Sequence, residues 1–337
     1  MHDNQSAAAK RDAAAPSLHA NRPRDSEPAT SQQQGRRVSS GAVDPGKDAA
    51  RANYTSGVLL LLAGTVAFSS AGLFVRILGK DAATTLFWRG LFTALIILAY
   101  VAWREGPRTL AAFRAVGWPG VAISCLNAAS MGSFIASLQY TTVANNSIIF
   151  GTSPFMTAAL AWVLIRERPS SSTLAFSGLA LIGATLVVGS SFQLSASGLV
   201  GDALAVLMTL SFAMKTVLVR KHAKVSMVPT GALGALIGSV VAAPFVTEWA
   251  LTRKEFITFA LFGFTQQGLG LILTTIGIAR VPSAQAALLM ALDVPLSPSW
   301  VWLAIGERPA ALALAGGAVV LAAVVGHILV EGRRRRD

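Results

Sequence analysis

Charge is what this sequence lacks most. Only 13% of its 337 residues are Asp, Glu, Lys or Arg, about half the share of a soluble globular domain. With 53% hydrophobic residues and a mean hydropathy of +0.57, no water-soluble core could hide the apolar surface, so the natural solvent is lipid. Cysteine is nearly absent. Cys125 stands alone in an apolar run, which excludes an intramolecular disulfide. The four histidines, His2, His19, His222 and His327, are scattered, and no His/Cys/Asp group has metal-ligand spacing. A Gly-rich nucleotide loop is missing, which excludes direct ATP coupling within the chain. Also missing are the aromatic-interleaved basic stretches of nucleic-acid binders. The net charge of +12 is therefore read as basic loops flanking membrane helices. No metal, no cofactor and no nucleic-acid partner is expected, and the expected partner surface is the lipid bilayer.

Long apolar runs are what is there. Residues 1–55 read as a polar tail rich in Ala, Ser, Gln and Pro, expected to be disordered and cytoplasmic. It is not a signal peptide, because no apolar segment begins before Val58. Beyond it lie about ten apolar segments: 56–75, 84–103, 117–138, 143–165, 173–192, 199–219, 228–249, 256–278, 283–304 and 310–330. Each is near the length that crosses a bilayer. Lipid offers no partner to unpaired backbone groups, so such runs must be helices. Residues 331–337 form a basic tail.

The segments repeat. Asn127, Thr141-Thr142-Val143-Ala144-Asn145 and Glu167-Arg168-Pro169 recur as Gln267, Val281-Pro282-Ser283-Ala284-Gln285 and Glu307-Arg308-Pro309. One offset superposes all three landmarks, a period rather than a motif. Pro154 and Pro295 match one position out of register. The expected fold is an all-α integral membrane protein of about ten transmembrane helices in two five-helix repeats, 56–192 and 199–330. An odd number per half inverts the second repeat. Such pairs are the mark of transporters whose site lies near midplane where the halves meet.

Orientation follows from Lys and Arg. With the N-terminus inside, Arg104, Arg108, Arg114, Arg166, Arg168, Arg220, Lys221, Lys224, Arg280 and Arg333 to Arg336 lie on the cytoplasmic side. The other side receives Arg76, Lys80, Arg253, Lys254 and Arg308. This positive-inside asymmetry predicts a multi-pass protein of the inner (cytoplasmic) membrane with both termini cytoplasmic.

Lined up in this way, the chain resembles the drug/metabolite transporter superfamily, in particular its EamA-type members. The resemblance covers residues 56–330 and is carried by Tyr140-Thr141-Thr142-Val143-Ala144, Pro154, Glu167-Arg168, Gly178 and Gly183 in the first half. In the second half it is carried by Gly201-Asp202-Ala203-Leu204-Ala205, Pro295, Gly306-Glu307-Arg308 and Gly316-Gly317. Arg89 matches a recurrent arginine. The resemblance implies ten helices around a central cavity and secondary transport of small organic solutes, often export of amino acids or metabolites. Asn145-Asn146 departs from the family pattern, where small or apolar residues are usual.

A charge at the bilayer centre costs about 2.5–3.5 kcal/mol on insertion scales, so each one asks for a reason. Candidate cavity residues are Arg89, Asn127, Asn145, Asn146, Gln267 and Gln285. Helix–helix hydrogen bonding is the ordinary alternative for each amide, and a neighbouring carbonyl is the alternative for Arg89. Candidate coupling groups are Asp293 and Lys215. Asp293 precedes Pro295, whose ring loosens the local helix; the alternative is that it caps the broken helix or pairs with Lys215 or Arg89. Lys215 instead could snorkel to the interface. No residue is assigned a catalytic role. An intramembrane enzyme would need an acid, base or metal constellation and a passive channel a ring of repeated charges; neither pattern is present. The expected activity is alternating-access export of a small-molecule substrate, with proton coupling through Asp293.

Overall fold

A computed structural model describes residues 45–137, 140, 146, 149–188, 198–306 and 311–334. Of the sequence landmarks, Asn145, Gln139, Thr141 to Ala144 and the second Glu307-Arg308-Pro309 turn lie outside the described residues, as does the tail up to residue 44. The described residues contain helices and no strand. In order they are α1 (Pro45–Ser69), α2 (Ala71–Leu78), α3 (Ala82–Glu105), α4 (Thr109–Ala115), α5 (Gly117–Ser137), α6 (Ser153–Ile165) and α7 (Ser171–Val188). The second half comprises α8 (Gly198–Lys221), α9 (Pro229–Ala242), α10 (Arg253–Leu261), a π-helical segment (Phe262–Leu269), α11 (Gly270–Ile278), α12 (Ser283–Met290), α13 (Asp293–Ile305) and α14 (Ala311–Arg334). Seven helical stretches are long and apolar enough to cross a membrane, and three shorter apolar helices, Ser153–Ile165, Ser171–Val187 and Pro229–Phe245, accompany them. Helix α1 starts at Pro45, ahead of the expected boundary at residue 56.

Two helices are broken where the sequence carries the means to break them. Ser70 interrupts the first span between α1 and α2, and the Ser69 and Ser70 hydroxyls donate back to Val66 and Ala67 carbonyls at 2.8 and 2.7 Å. Such back-bonding competes with the helix ladder. The ninth span breaks at Ala291-Leu292 between α12 and α13. Pro295 there cannot donate to the preceding turn. Asp293 sits in the first turn of α13, where the helix dipole favours a negative group. Helix α6 likewise begins just before Pro154, so the two prolines, out of register in sequence, follow equivalent breaks.

Packing follows an exchange of halves. Helix α5 packs on α8 as α11 packs on α1; α5 meets α9 as the π segment meets α3; α6 meets α8 as α12 and α13 meet α1. Two pairs map onto themselves, α3 with α9 and α7 with α14, and the fourth span meets the ninth through α6 and α12. These self-paired contacts mark a pseudo-two-fold axis. Their direction settles its orientation. Gly183 lies against Gly316 while Phe176 lies against Gly326, so α7 and α14 run antiparallel. Equivalent helices pointing opposite ways make the repeats inverted. The close approach of α7 and α14 needs glycine: a Cβ on Gly183 would fall 2.8 Å from the Gly316 carbonyl, and one on Gly316 would fall 2.5 Å from the Gly183 carbonyl. Small residues of this kind let membrane helices gain van der Waals contact that lipid cannot replace. The outer surface is apolar, with Leu303, Leu199 and Val163 all exposed, as a lipid-facing surface must be. Trp103 and Trp118 are exposed beside the α4 turn, where an interfacial belt is expected.

Candidate functional site

The chain's one intramembrane lysine decides where the interior is polar. Lys215 lies on α8, and its Nζ donates to Asn127 Oδ1 on α5 at 3.0 Å. The ammonium also sits 5.3 Å from the Phe212 ring centre, one turn back on its own helix, a cation–π contact. These contacts hold the ammonium against α5 and its own helix. The pair opens on a cavity of about 10 Å³ between α5, α8, α9, α11 and α12, room for about one water molecule. Ile123, Val219, Leu271 and Met290 make its apolar wall; Thr230, Thr274 and Thr275 add hydroxyls. Apolar walls with a few convergent polar groups are the usual make-up of a small-molecule site. Helix α9 comes close because Gly234 faces Asn127: a Cβ there would fall 2.9 Å from the amide nitrogen.

Arg89 on α3 is 3% exposed. Its guanidinium donates to Met131 Sδ at 3.6 Å and lies 5.2 Å from the Phe262 ring centre. Its Nε has no hydrogen-bond partner among the described residues. Among these residues no carboxylate pairs with Arg89 or Lys215. Asp293 therefore pairs with neither cation, which removes that alternative, and its Oδ1 is buried without a partner among the described residues.

The amides divide. Gln267 is buried on the π segment with its carbonyl oxygen unpartnered among the described residues. Its neighbour Gln266 donates to the Phe68 carbonyl at 3.2 Å, beside the α1 break. Asn146 bonds the Ser137 hydroxyl, a helix-end contact. Gln285 accepts from Tyr54 at 3.3 Å and lines a different cavity. Asn127 and Lys215 are thus the two expected residues that the fold brings together. The threonines and Met290 were not singled out in the sequence; a threonine at helical spacing gives no signal of which way it faces.

Polar contacts tie the helix ends together at both faces. At the face bearing the start of α1 and the end of α14 (the terminal face), Arg220 donates to the Ala279 carbonyl at 2.7 Å and lies 3.6 Å from Glu167. Glu167 in turn accepts from the Ser283 amide at 2.7 Å, so it caps α12. The Glu167-Arg168-Pro169 turn thus serves to hold a helix end in place. At the opposite face, Lys80 bridges Glu248 and Glu255, the latter at 2.7 Å. Thr252 and Glu255 form a capping box on α10. Asp81 caps α3 through Thr84 and accepts from Thr247 at 2.7 Å. The hydrogen bonds to Glu248 and then Glu255 hold the Lys80 ammonium above its ordinary value. Desolvation pushes the Asp81 carboxyl up, but hydrogen bonds from Thr84 and Thr247 outweigh it and hold the group below the usual carboxylate value.

No curated protein matches the chain in a sequence comparison. Solved structures share its fold: one crystal structure of a protein superposes over 83% of this chain and 98% of its own, with TM-score 0.72 and 18% identity. The EamA-like transporter family matches twice, over residues 55–189 and 199–329, the two halves that the packing relates. Both repeats of a multi-pass membrane protein are covered by that match, and the chain belongs to the EamA-like transporter family.

Proposed function

We propose that the chain is a secondary transporter that exports a small polar organic solute by alternating access, with the Lys215–Asn127 pair as the centre of its binding site. The observation that carries this reading is a hydrogen-bonded cation, without a carboxylate partner among the described residues, facing a small cavity between the two halves. A buried charge is costly unless it is paired; an acceptor group on a solute would supply what the protein withholds. The amino-acid-like and drug-like classes both offer such a group. In this reading Arg89 and Gln267, buried near the π segment, would meet the solute as the halves rock. Arg220–Glu167 and Lys80–Glu248–Glu255 are the two gates.

Asp293 is the proposed proton-coupling group. It lies at the break of the ninth span, where rocking of α13 against α12 would alternately wet and dry it. The terminal face is cytoplasmic in this reading, from the arginine asymmetry. A reporter fused after Arg336 then reads as cytoplasmic and one at Lys254 as external; the reverse pattern refutes the orientation.

The transport test uses purified protein in liposomes with a proton gradient and a panel of amino acids and amphiphilic amines. Gradient-driven accumulation of at least one solute, lost in Lys215→Met and uncoupled from the gradient in Asp293→Asn, is expected. Equal transport by wild type and Lys215→Met would overturn the site. Gradient-driven transport that survives Asp293→Asn would overturn the coupling role.

A further inference from the structure

A second cavity, of about 220 Å³, lies at the terminal face, away from Lys215. The end of α6, the start of α7, the start of α12 and the end of α14 form it, through Ala161, Thr173, Gln285 and Glu331 among others. One helical turn deeper on three of these helices stands a layer of polar side chains: Thr157 below Ala161, Ser177 below Thr173, and His327 below Glu331. They are 0%, 1% and 1% exposed. The hydroxyls of Thr157 and Ser177, and both ring nitrogens of His327, have no hydrogen-bond partner among the described residues. Leaving such a group unsatisfied is costly, so three on one level demand an explanation. Packing does not give one: His327 meets Phe176 edge-on at 5.8 Å between ring centres, a contact that leaves both nitrogens idle.

The charges around this layer are few. Helices α6, α7 and α12 carry no titratable side chain. Glu167, just past α6, is committed to the Ser283 amide and Arg220. Arg168 is exposed at the mouth. On α13, Asp293 lies two residues before Pro295, which abuts Gly317. That level is ten residues along α14 from His327, or about 15 Å. Among the described residues, only Glu331, one turn away on the same helix and itself lining the cavity, is within reach of the imidazole.

We propose that His327 is a proton-binding site loaded from this cavity through Glu331. A hydronium in the cavity gives its proton to a Glu331 carboxylate oxygen and leaves as water. The carboxylic acid then passes the proton, directly or along one water, to a ring-nitrogen lone pair of His327. Glu331 returns to carboxylate and the ring becomes an imidazolium. Hydroxyls both donate and accept, so Thr157 and Ser177 can turn to serve either state of the water between them. A cavity of about 220 Å³ has room for several waters at about 30 Å³ each. The site is distinct from Asp293, which does not line this cavity. Its use in driving export rests on the transporter reading; the proton binding does not.

The test reads the proton directly. The chain has four histidines, so protein with nitrogen-15-labelled imidazoles in lipid nanodiscs gives few ring signals, and a His327→Gln sample identifies the one of interest. As the pH falls from about 8 to about 5, the usual range of histidine protonation, the His327 signals are expected to move reversibly from the neutral to the imidazolium pattern. Their N–H protons are expected to exchange with solvent at a rate that Glu331→Gln lowers by about tenfold or more, since relay by a positioned acid contributes on the order of 10²-fold. A ring that keeps one state over the whole range, with protected N–H groups, overturns the site. Unchanged exchange in Glu331→Gln overturns the route. Titration of His327 in a protein that moves no solute would leave the site standing and refute the transporter reading instead.

Discussion

The same crossing is built twice in this fold and the two copies differ. Where α5 crosses α8, a lysine reaches across to an asparagine. At the equivalent crossing of α11 and the π segment with α1, the described residues place no charged side chain inside the span; Arg280, just past α11, bonds the Ser56 hydroxyl at its end. There the first span is broken at Ser70, the eighth carries a π segment, and Gln266 ties the two through the Phe68 carbonyl. π segments inside helices recur at functional sites. Backbone irregularity on one side of the axis thus stands where a charged side chain stands on the other. The symmetry is one of packing, and the chemistry is one-sided. A solute held at Lys215 would be gripped by the second half and released by bending of the first.

The largest effect expected from breaking this comparison is at Lys215. Lys215→Met leaves an apolar side chain of similar length and should lower transport kcat/KM by the equivalent of about 2–5 kcal/mol, the usual cost of removing one partner of a buried charged contact. Thermal unfolding should confirm that the variant remains folded. Next come the landmark amides. Asn127→Leu strips the ammonium of its acceptor and should cost about 1–3 kcal/mol in stability. Gln267→Leu, at the equivalent position, removes a carbonyl without a partner and should be neutral or slightly stabilising in the same melt. Equal losses at both positions would erase the asymmetry.

A smaller effect is expected at Gln266. Gln266→Leu removes one interhelical hydrogen bond, worth about 0.6 kcal/mol in membrane proteins. It should also raise labelling of a cysteine placed at Ser70, because the break is then tied less firmly. The smallest effect concerns pH at the Lys80 gate. Lys80 is held above its ordinary value of 10.5, so its contribution is complete below that value and lost as the pH rises through the folded one. Asp81 is held below its ordinary 3.8, so its contribution is complete above 3.8 and lost as the pH falls through the folded one. Labelling of a cysteine beside this ion pair should be flat across neutral pH, between the two folded values.

Much of this was legible beforehand, for identifiable reasons. The offset that carries Asn127 onto Gln267 revealed the two halves, because a repeat is a statement about sequence alone. The break at Asp293 and Pro295 was legible because proline removes a backbone donor wherever it stands. The break at Ser70 was hidden, since serine is tolerated in helices and interrupts them only when its hydroxyl turns back. Which amides would meet was also hidden. Helical spacing places Asn127 and Gln285 on inward faces, but the crossing of α5 with α8 sends one to Lys215, and the start of α12 sends the other to Tyr54. His327 near the last helix end gave no signal, because burial at a helix end depends on the neighbour that covers it.

The central claim is that the space beside Lys215 is reached alternately from the two faces. Thr275 lines that space. Thr275→Cys in a background with Cys125→Ser, reconstituted into liposomes, can be treated with a membrane-impermeant thiol reagent from either side, with and without a transported solute. Labelling from each face, slowed by the solute on both, is the predicted result. A cysteine inert from both faces under every condition would contradict the account.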